Sequence, residues 1–221
     1  TGALPLFWII IPFTPVHSAV LIIAPKFLTS ESWSNNKNNG VFPVTAEVVY
    51  FSSIENAKWP LYKTEEAAQN ALKVLTKARE KNMKIVHVRH EFEGDNPPFF
   101  APNTKGSKIH ESLTPKENES QVLKNGVNAF LNTDLKAILD ESNITNVIIV
   151  GAMSYMCIDA VTRAASDYGY NCYLTHDACA TSDVEFNGVK VEAKLAHATI
   201  MSALSFAYAN VQTSEEIIGL I

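Results

Sequence analysis

Residues 148–181 read IIVGAMSYMCIDAVTRAASDYGYNCYLTHDACAT, a pattern typical of a buried strand, a short turn, a helix and a second strand. Cys157 is expected where the turn becomes the helix. Unpaired backbone N–H groups and the positive end of the helix dipole favour a thiolate at such a place. An isolated cysteine is ordinarily a small buried core residue, but this position makes Cys157 a candidate nucleophile.

Helices and strands alternate along the chain from Thr64 onward. The spacing of apolar residues predicts helices over residues 64–82, 133–142, 158–168 and 191–209. It predicts strands over 84–90, 122–124, 147–150 and 172–175, with a last strand near Val211 and two strand-like segments at 19–23 and 44–51. Apolar strands that alternate with helices indicate a mainly parallel sheet covered on both faces. We therefore expect a single α/β domain over residues 1–221, a three-layer α/β/α sandwich of Rossmann-like topology.

The overall composition points to a small molecule or a second copy of the chain as partner. The chain has 221 residues and a net charge of −5, and it contains no run of basic residues, so no nucleic-acid partner is expected. No glycine-rich phosphate loop is present, and no cofactor is expected. Long apolar helices near the C-terminus favour a homo-oligomer.

The three cysteines are too few and too far apart for a disulfide framework or a zinc site, because none forms a CxxC pair. Reduced thiols and a cytoplasmic location are expected. Residues 3–27 are apolar, but four prolines interrupt them, and no basic residue precedes them as in a secretory signal. We expect an extension that is buried or covered by a partner, and no membrane association.

Two strand ends carry reactive groups at the edge where parallel sheets bind ligands. Lys124 ends one predicted strand, and Cys157 follows another. A lysine there can stabilise a thiolate, while an acid takes the thiol proton. Backbone N–H groups of the turn at 153–157 can bind the oxyanion of an attacked carbonyl. The alternative for Lys124 alone is a solvated surface lysine.

Several blocks in order resemble the isochorismatase-like cysteine hydrolase superfamily over residues 59–221. They are residues 59–61, 65–68, 86–90, 106–110, 124 with 128–133, 151–164 and 176–181. The resemblance implies an aspartate–lysine–cysteine triad, in which Cys157 is the cysteine and Lys124 the lysine. It also implies a cis peptide bond between Ala152 and Met153, with the amides of Met153 and Cys157 as the oxyanion hole.

The acid of the triad is where the sequence departs from the family, whose first strand ends in aspartate. No aspartate precedes Asp95. Glu47, in the segment 45–49, lies at about the family's distance from residues 59–61, and a glutamate can transfer the same proton. The segment 19–24 looks more like the strand, but Ala24 stands in the acid's place. Otherwise Glu47 is a surface residue on an edge strand.

The resemblance therefore implies a hydrolase that attacks a small amide or related molecule through Cys157 and forms a thioester, or that cleaves a vinyl ether as in the isochorismate branch. The alternative is a catalytically impaired homologue that serves as a binding or structural subunit. Residues 1–57 match the family poorly, so they are either divergent or incorrectly assigned.

Nicotinamide-hydrolysing relatives carry an Asp-x-His…His metal cluster, which has no clear counterpart here. His87 and His90 lack the aspartate and are expected on opposite faces of their strand. His110 lies in a predicted loop, and no metal is expected. His176 is expected to be structural.

Residues 91–120 are predicted to form a long polar loop, and its part at 91–110 is expected to shape the substrate pocket. Phe99 would supply an aromatic wall, with Phe100, Phe130 and Tyr155 as further walls. All four are equally compatible with core or subunit contacts.

Overall fold

The structure, a computed structural model, describes residues 20–22, 45–47, 61–94, 100–102, 104 and 107–221. For residues 20–22 and 45–47 it describes the backbone. Ala24, Phe99 and most of the apolar segment 3–27 lie outside the described residues.

Seven parallel strands form two adjoining sheets at the centre of the described part of the chain. One sheet has the order β1-β3-β4 and the other has the order β2-β5-β6-β9. Their bounds are β1 Val20–Ile22, β2 Thr45–Glu47, β3 Ile85–His90, β4 Ser120–Lys124, β5 Asn146–Ala152, β6 Asn171–Ala180 and β9 Asn210–Gln212. The short strands β1 and β2 contact one another, so the two sheets lie side by side.

Five α-helices of the described residues cover the two faces of this layer. They are α1 Thr64–Glu80, α2 Leu135–Glu141, α3 Asp159–Asp167, α4 Ala193–Ala207 and α5 Ser214–Leu220. Helices α1 and α5 pack on one face, and α2, α3 and α4 pack on the other. The arrangement confirms the predicted three-layer α/β/α fold with a mainly parallel sheet.

Strand β5 shows why the sheet is covered on both sides. All seven of its residues are buried. Val147 and Ile149 belong to the core under α2, α3 and α4, whereas Ile148 and Val150 belong to the core under α1 and α5. Alternate side chains of a strand point to opposite faces, so a continuous apolar run fills both cores.

Helix α1 illustrates how the sequence sets a helix against the sheet. Its buried residues Ala68, Ala71 and Leu75 recur at intervals of three and four, which places them on one face. Glu65 and Glu66 lie in its first turn, where they complement the helix dipole. No helix in the described part of the chain combines the length and the apolar content needed to cross a bilayer.

The C-terminal third differs from the prediction in three places. Val191, predicted as the first residue of a helix, instead ends strand β8 (Val189–Val191), which pairs antiparallel with β7 (Val184–Phe186). Pairing with β7 satisfies the backbone of these residues, so the helix begins only at Ala193. Strand β6 continues to Ala180, five residues beyond the predicted end, because its last residues pair with the end of β5. Helix α5 was not predicted.

Candidate active site

His90 and Lys124 lie side by side at the carboxyl ends of two neighbouring strands. They are register partners in the parallel pair β3–β4. The side chains of both residues are buried, with 2% exposure for His90 and none for Lys124. The Nζ atom of Lys124 donates a hydrogen bond of 2.8 Å to the carbonyl of Val127. The lysine is therefore a fixed, buried cation and not the solvated surface residue that the sequence left as an alternative.

Cys157 lies in a short π-helical turn, Ser154–Ile158, that connects β5 to α3. The Ala152–Met153 peptide bond that precedes this turn is cis, as the resemblance implied. The amides of Met156 and Ile158 both donate to the carbonyl of Met153, which closes the turn. Helix α3 begins two residues after the cysteine, so the thiol lies at a strand-to-helix turn as predicted.

The thiol of Cys157 contacts an imidazole. Its Sγ atom lies 4.0 Å from Nδ1 of His90, and the residue is 5% exposed. Burial, and then the positive charge of Lys124, lower the pKa of His90 from 6.5 to about 4, while an interaction with the backbone of Asn125 acts in the opposite direction. The imidazole is therefore neutral at pH 7, and Cys157, His90 and Lys124 share one neighbourhood.

Two phenylalanines cover the ring of His90. The ring centroids of Phe92 and Phe100 lie 4.4 Å and 4.9 Å from that of His90. Phe100 has φ 54°, in the left-handed region that bulky residues seldom adopt. Apolar rings on this side lower the local dielectric constant, which strengthens the interactions of the Lys124 charge.

Glu47 lies at the carboxyl end of β2, where its backbone is opposite Gly151 of β5 in the parallel register. Its side chain and Phe99 lie outside the part that the structure describes. The assignment of Glu47 as the acid, and of the Met153 and Cys157 amides as the oxyanion hole, stays a prediction.

Phe130 and Tyr155, the other two residues predicted to contact the substrate, have neighbours of different kinds. Phe130 is buried, and its ring lies 5.1 Å from Tyr168 and 6.1 Å from Tyr170, which are the contacts of a core residue. The hydroxyl of Tyr155 lies 2.7 Å from Oγ of Ser182. A role for either ring in substrate binding stays a prediction.

His87 and His90 face different surroundings, in agreement with the alternation of a strand. Nε2 of His87 lies 2.7 Å from Oε2 of Glu119, and each oxygen of that carboxylate accepts a hydrogen bond from Arg79. Nδ1 of His110 lies 2.8 Å from the hydroxyl of Ser112. Among the described residues, no group of three or more His, Cys, Asp or Glu side chains is arranged to hold a metal ion.

A cavity of about 240 Å³ opens at the carboxyl end of β6, and His176, Cys179 and His197 help to line it. Oγ of Ser154, in the turn that carries Cys157, lies 2.8 Å from Nδ1 of His197 and donates to the carbonyl of Ala180 at 3.3 Å. Because His197 belongs to α4, these hydrogen bonds fix the turn to both α4 and β6.

The other two thiols are set in the core. Burial raises the pKa of the Cys179 thiol. The thiol of Cys172 donates to the carbonyl of Tyr170 at 3.3 Å. Cys157 is the cysteine whose sulfur lies against the imidazole of His90, which is in turn the register partner of the buried Lys124.

Sequence comparison identifies the chain's relatives. The sequence pattern described as the isochorismatase domain matches residues 44–215. The isochorismatase family protein YddQ of Bacillus subtilis is 42% identical over 160 residues, which cover 72% of this chain and 89% of that protein. Streptothricin hydrolase of Streptomyces noursei is 33% identical over 111 residues, half of this chain and 40% of that protein.

Structural comparison gives the same result. A crystal structure described as an isochorismatase hydrolase from Oleispira antarctica superposes with a TM-score of 0.77 at 47% sequence identity, covering 93% of this chain and 98% of that one. The domain match, the relatives and the shared three-layer fold agree, and the chain belongs to the isochorismatase family of hydrolases.

Proposed function

We propose that this protein is a cysteine-dependent hydrolase of a small amide or a related small molecule, with Cys157, Lys124 and Glu47 as its triad. One observation carries the proposal: the sulfur of Cys157 lies against His90, which is itself the register partner of the buried Lys124. A thiol at such a place has a cation within its surroundings to balance the charge of a thiolate.

The first half of the proposed reaction forms a thioester. The carboxylate of Glu47 takes the thiol proton, and Sγ of Cys157 attacks the carbonyl carbon. The carbonyl oxygen becomes an oxyanion, which the amides of Met153 and Cys157 bind. When the carbonyl reforms, the C–N bond breaks, and the leaving amine takes the proton from Glu47.

The second half of the reaction restores the enzyme. A water molecule gives a proton to Glu47 and attacks the thioester carbon. The C–S bond breaks, the acid product leaves, and the proton on Glu47 returns to the sulfur. The sum is one amide and one water giving one carboxylic acid and one amine. Throughout, the ammonium of Lys124 stabilises the negative charge on sulfur and then on oxygen.

Two observations support Glu47 as the acid. Its backbone lies in the parallel register with β5, the strand that leads to the Cys157 turn. The isochorismatase domain match begins at residue 44, so it includes Glu47 and excludes Ala24. Membership in a family of hydrolases supports a hydrolytic reaction, and the small amide is our proposal for its substrate.

The test is detection of an acyl-enzyme formed with 4-nitrophenyl acetate, a small activated ester. Rapid acid quenching and peptide mass spectrometry locate the acetyl group. We expect it on Cys157 in the wild type and in the matched control Cys172→Ala, and on none of the cysteines in Cys157→Ala. Acetylation of none of the three wild-type cysteines, or unchanged turnover by Cys157→Ala, would favour the catalytically impaired homologue.

A further inference from the structure

The cavity at the end of β6 is separate from the neighbourhood of Cys157. Its wall consists of residues at the start of α1, the end of β6 and the first turn of α4, and it includes none of Cys157, His90 and Lys124. In the strand order, β6 lies on one side of β5, whereas β3 and β4 lie beyond β2 on the other side. Its volume of about 240 Å³ is below the range of about 300–1,000 Å³ typical of sites for drug-sized ligands, so it suits a smaller molecule.

The two carboxylates of this wall already have partners. The carboxylate of Asp177 accepts hydrogen bonds from the amide and the hydroxyl of Ser214, at 2.7 Å and 2.8 Å. Glu66 forms an ion pair of 2.6 Å with Lys63. A third acid nearby, Glu216 of α5, is bound within its own capping box. No further cation is therefore needed to balance these acids.

Three basic groups of the wall have nitrogens without partners among the described residues. The ammonium of Lys194 forms no ion pair with them, and the imidazole of His176 forms no hydrogen bond with them. The ring of His176 lies with its centroid 6.5 Å from that of His197. His197 uses Nδ1 for its contact with Ser154, which leaves Nε2. Two imidazoles and an ammonium in one small cavity offer donors that suit the oxygens of a carboxylate or a phosphate.

His197 connects the cavity to the turn that carries Cys157. Burial, and then the charge of His176, lower the pKa of His197 to about 4, so the ring is neutral at pH 7 and carries a single hydrogen. A carboxylate or a phosphate dianion is a hydrogen-bond acceptor, so its binding at Nε2 fixes the hydrogen there. Nδ1 is then an acceptor, and the hydroxyl of Ser154, the first residue of the turn, donates to it across the observed 2.8 Å. Two hydrogen bonds in series would thus link the occupant to the turn.

We propose that this cavity is a second binding site, for a small anion with a carboxylate or a phosphate group, and that its occupant stabilises the Cys157 turn through His197 and Ser154. The anion accepts hydrogen bonds from His176, from Nε2 of His197 and from the ammonium of Lys194. The inference goes beyond the proposed hydrolysis, because none of these three donors takes part in that reaction and the site requires no thiolate.

Nuclear magnetic resonance of the full ¹⁵N-labelled chain at pH 7 tests the site. Inorganic phosphate and acetate are titrated separately, which shows which of the two groups the site takes, and the ring signals of His176 and His197 are followed. We expect saturable shifts of both rings with at least one of these anions, with the hydrogen of His197 on Nε2 at saturation. No saturable shift with either anion, or shifts at His90 alone, would overturn the proposed site.

Two variants and a matched control locate the binding. Lys194→Gln removes the ammonium, and His176→Phe keeps an aromatic ring but removes both ring nitrogens. We expect each to raise the dissociation constant of the anion by about tenfold. Lys190→Gln is the control, because Lys190 pairs with Glu185 on the β7–β8 hairpin outside the wall, and it should change the constant by less than about twofold. Wild-type affinity in both Lys194→Gln and His176→Phe would contradict the proposal.

Hydrogen exchange tests the link to the turn. If opening of the turn breaks the site, the anion at ten times its dissociation constant slows exchange at the amides of Met156 and Ile158 by about tenfold. Ser154→Ala should bind the anion and lose this protection. Binding without slower exchange in the wild type would overturn the link. Cys157→Ala should bind the anion as the wild type does, so the failure of this inference and the failure of the proposed hydrolysis are distinguishable.

Discussion

The sulfur of Cys157 lies 4.0 Å from Nδ1 of His90, although 67 positions separate the two residues in the chain. His90 is the last residue of β3, and Cys157 follows β5. The short strands β1 and β2 each contact both β3 and β5. The parallel sheet thus brings the carboxyl ends of distant segments to one edge, where ligands bind in folds of this kind. There the thiol of Cys157 contacts the imidazole of His90, and the imidazole neighbours the ammonium group of Lys124.

The variant Lys124→Met removes the positive charge of the buried lysine and keeps a side chain of similar size in the core. We expect Lys124→Met to slow the hydrolysis of 4-nitrophenyl acetate by about a hundredfold, because the variant loses the cation that stabilises the thiolate and the oxyanion. The melting temperature is expected to stay the same or to rise, since an apolar side chain of similar size replaces a buried charge. Full activity in a folded Lys124→Met protein would show that the ammonium has no part in the reaction.

The identity of the acid is tested at position 47. We expect Glu47→Gln to lower kcat/KM for 4-nitrophenyl acetate by about a hundredfold or more, because the side-chain amide of glutamine cannot take the thiol proton. Glu47→Asp keeps a carboxylate and is expected to retain more activity than Glu47→Gln. If Glu47→Gln has wild-type kcat/KM across the pH range, another group accepts the proton.

Ser154 is predicted to stabilise the turn that carries Cys157. Ser154→Ala removes the hydrogen bond with His197, whose pKa burial and the neighbouring His176 lower to about 4. We expect the free energy of unfolding to fall by about 2 kcal/mol, because the variant loses both hydrogen bonds of the buried Ser154 hydroxyl. Hydrogen exchange at the amides of Met156 and Ile158 should be faster. The exposed Ser202→Ala on α4 is the control, with a change below about 0.5 kcal/mol.

The buried carboxylate of Glu119 is predicted to make stability depend on pH. Burial alone would raise the pKa of Glu119, but hydrogen bonds from Arg79, the amide of Lys116 and His87 outweigh it and lower the pKa to about 2. The ionised form is therefore favoured in the folded state. The stability that the ionised Glu119 gives the folded protein is fully present above pH 4.5, which is the pKa of this residue in the unfolded chain. It is lost as the pH falls towards about 2, the pKa in the folded protein.

Urea unfolding of Glu119→Gln measures this contribution. At pH 7 we expect the variant to be less stable by about 3 kcal/mol. The difference from the wild type should shrink steadily below pH 4.5. Glu215→Gln is the matched control, because Glu215 pairs with Lys73 at 3.4 Å with both side chains more than half exposed, and its loss should cost less than about 0.5 kcal/mol. An equal difference at pH 7 and pH 2.5 would contradict the assigned pKa.

Much of the fold could be predicted because the relevant signals are local. The apolar run of β5 and the helical stripe of α1 both follow from spacing alone. Two of the missed features also had local signals. Asn187 and Gly188 have φ values of 50° and 76°, and an Asn-Gly pair is a strong sign of a tight hairpin. Thr213 and Glu216 form a capping box, a sign of the helix α5 that follows.

The site could be predicted only in part. Cys157 and Lys124 were found because each follows a strand and matches a family motif. His90 was considered only as a metal ligand, since nothing in the spacing of residues 90 and 157 shows that they meet. That contact depends on the order of the strands in the sheet, and on the register that sets His90 opposite Lys124. Long-range pairing of this kind leaves no mark on a single sequence.

The alkylation of the three native cysteines by iodoacetamide, followed residue by residue, tests the nucleophile most directly. At pH 7 Cys157 is expected to react at least about tenfold faster than Cys172 and Cys179, because its sulfur lies against the imidazole of His90, whose other neighbour is the charged Lys124. Equal and slow alkylation of all three would contradict the account.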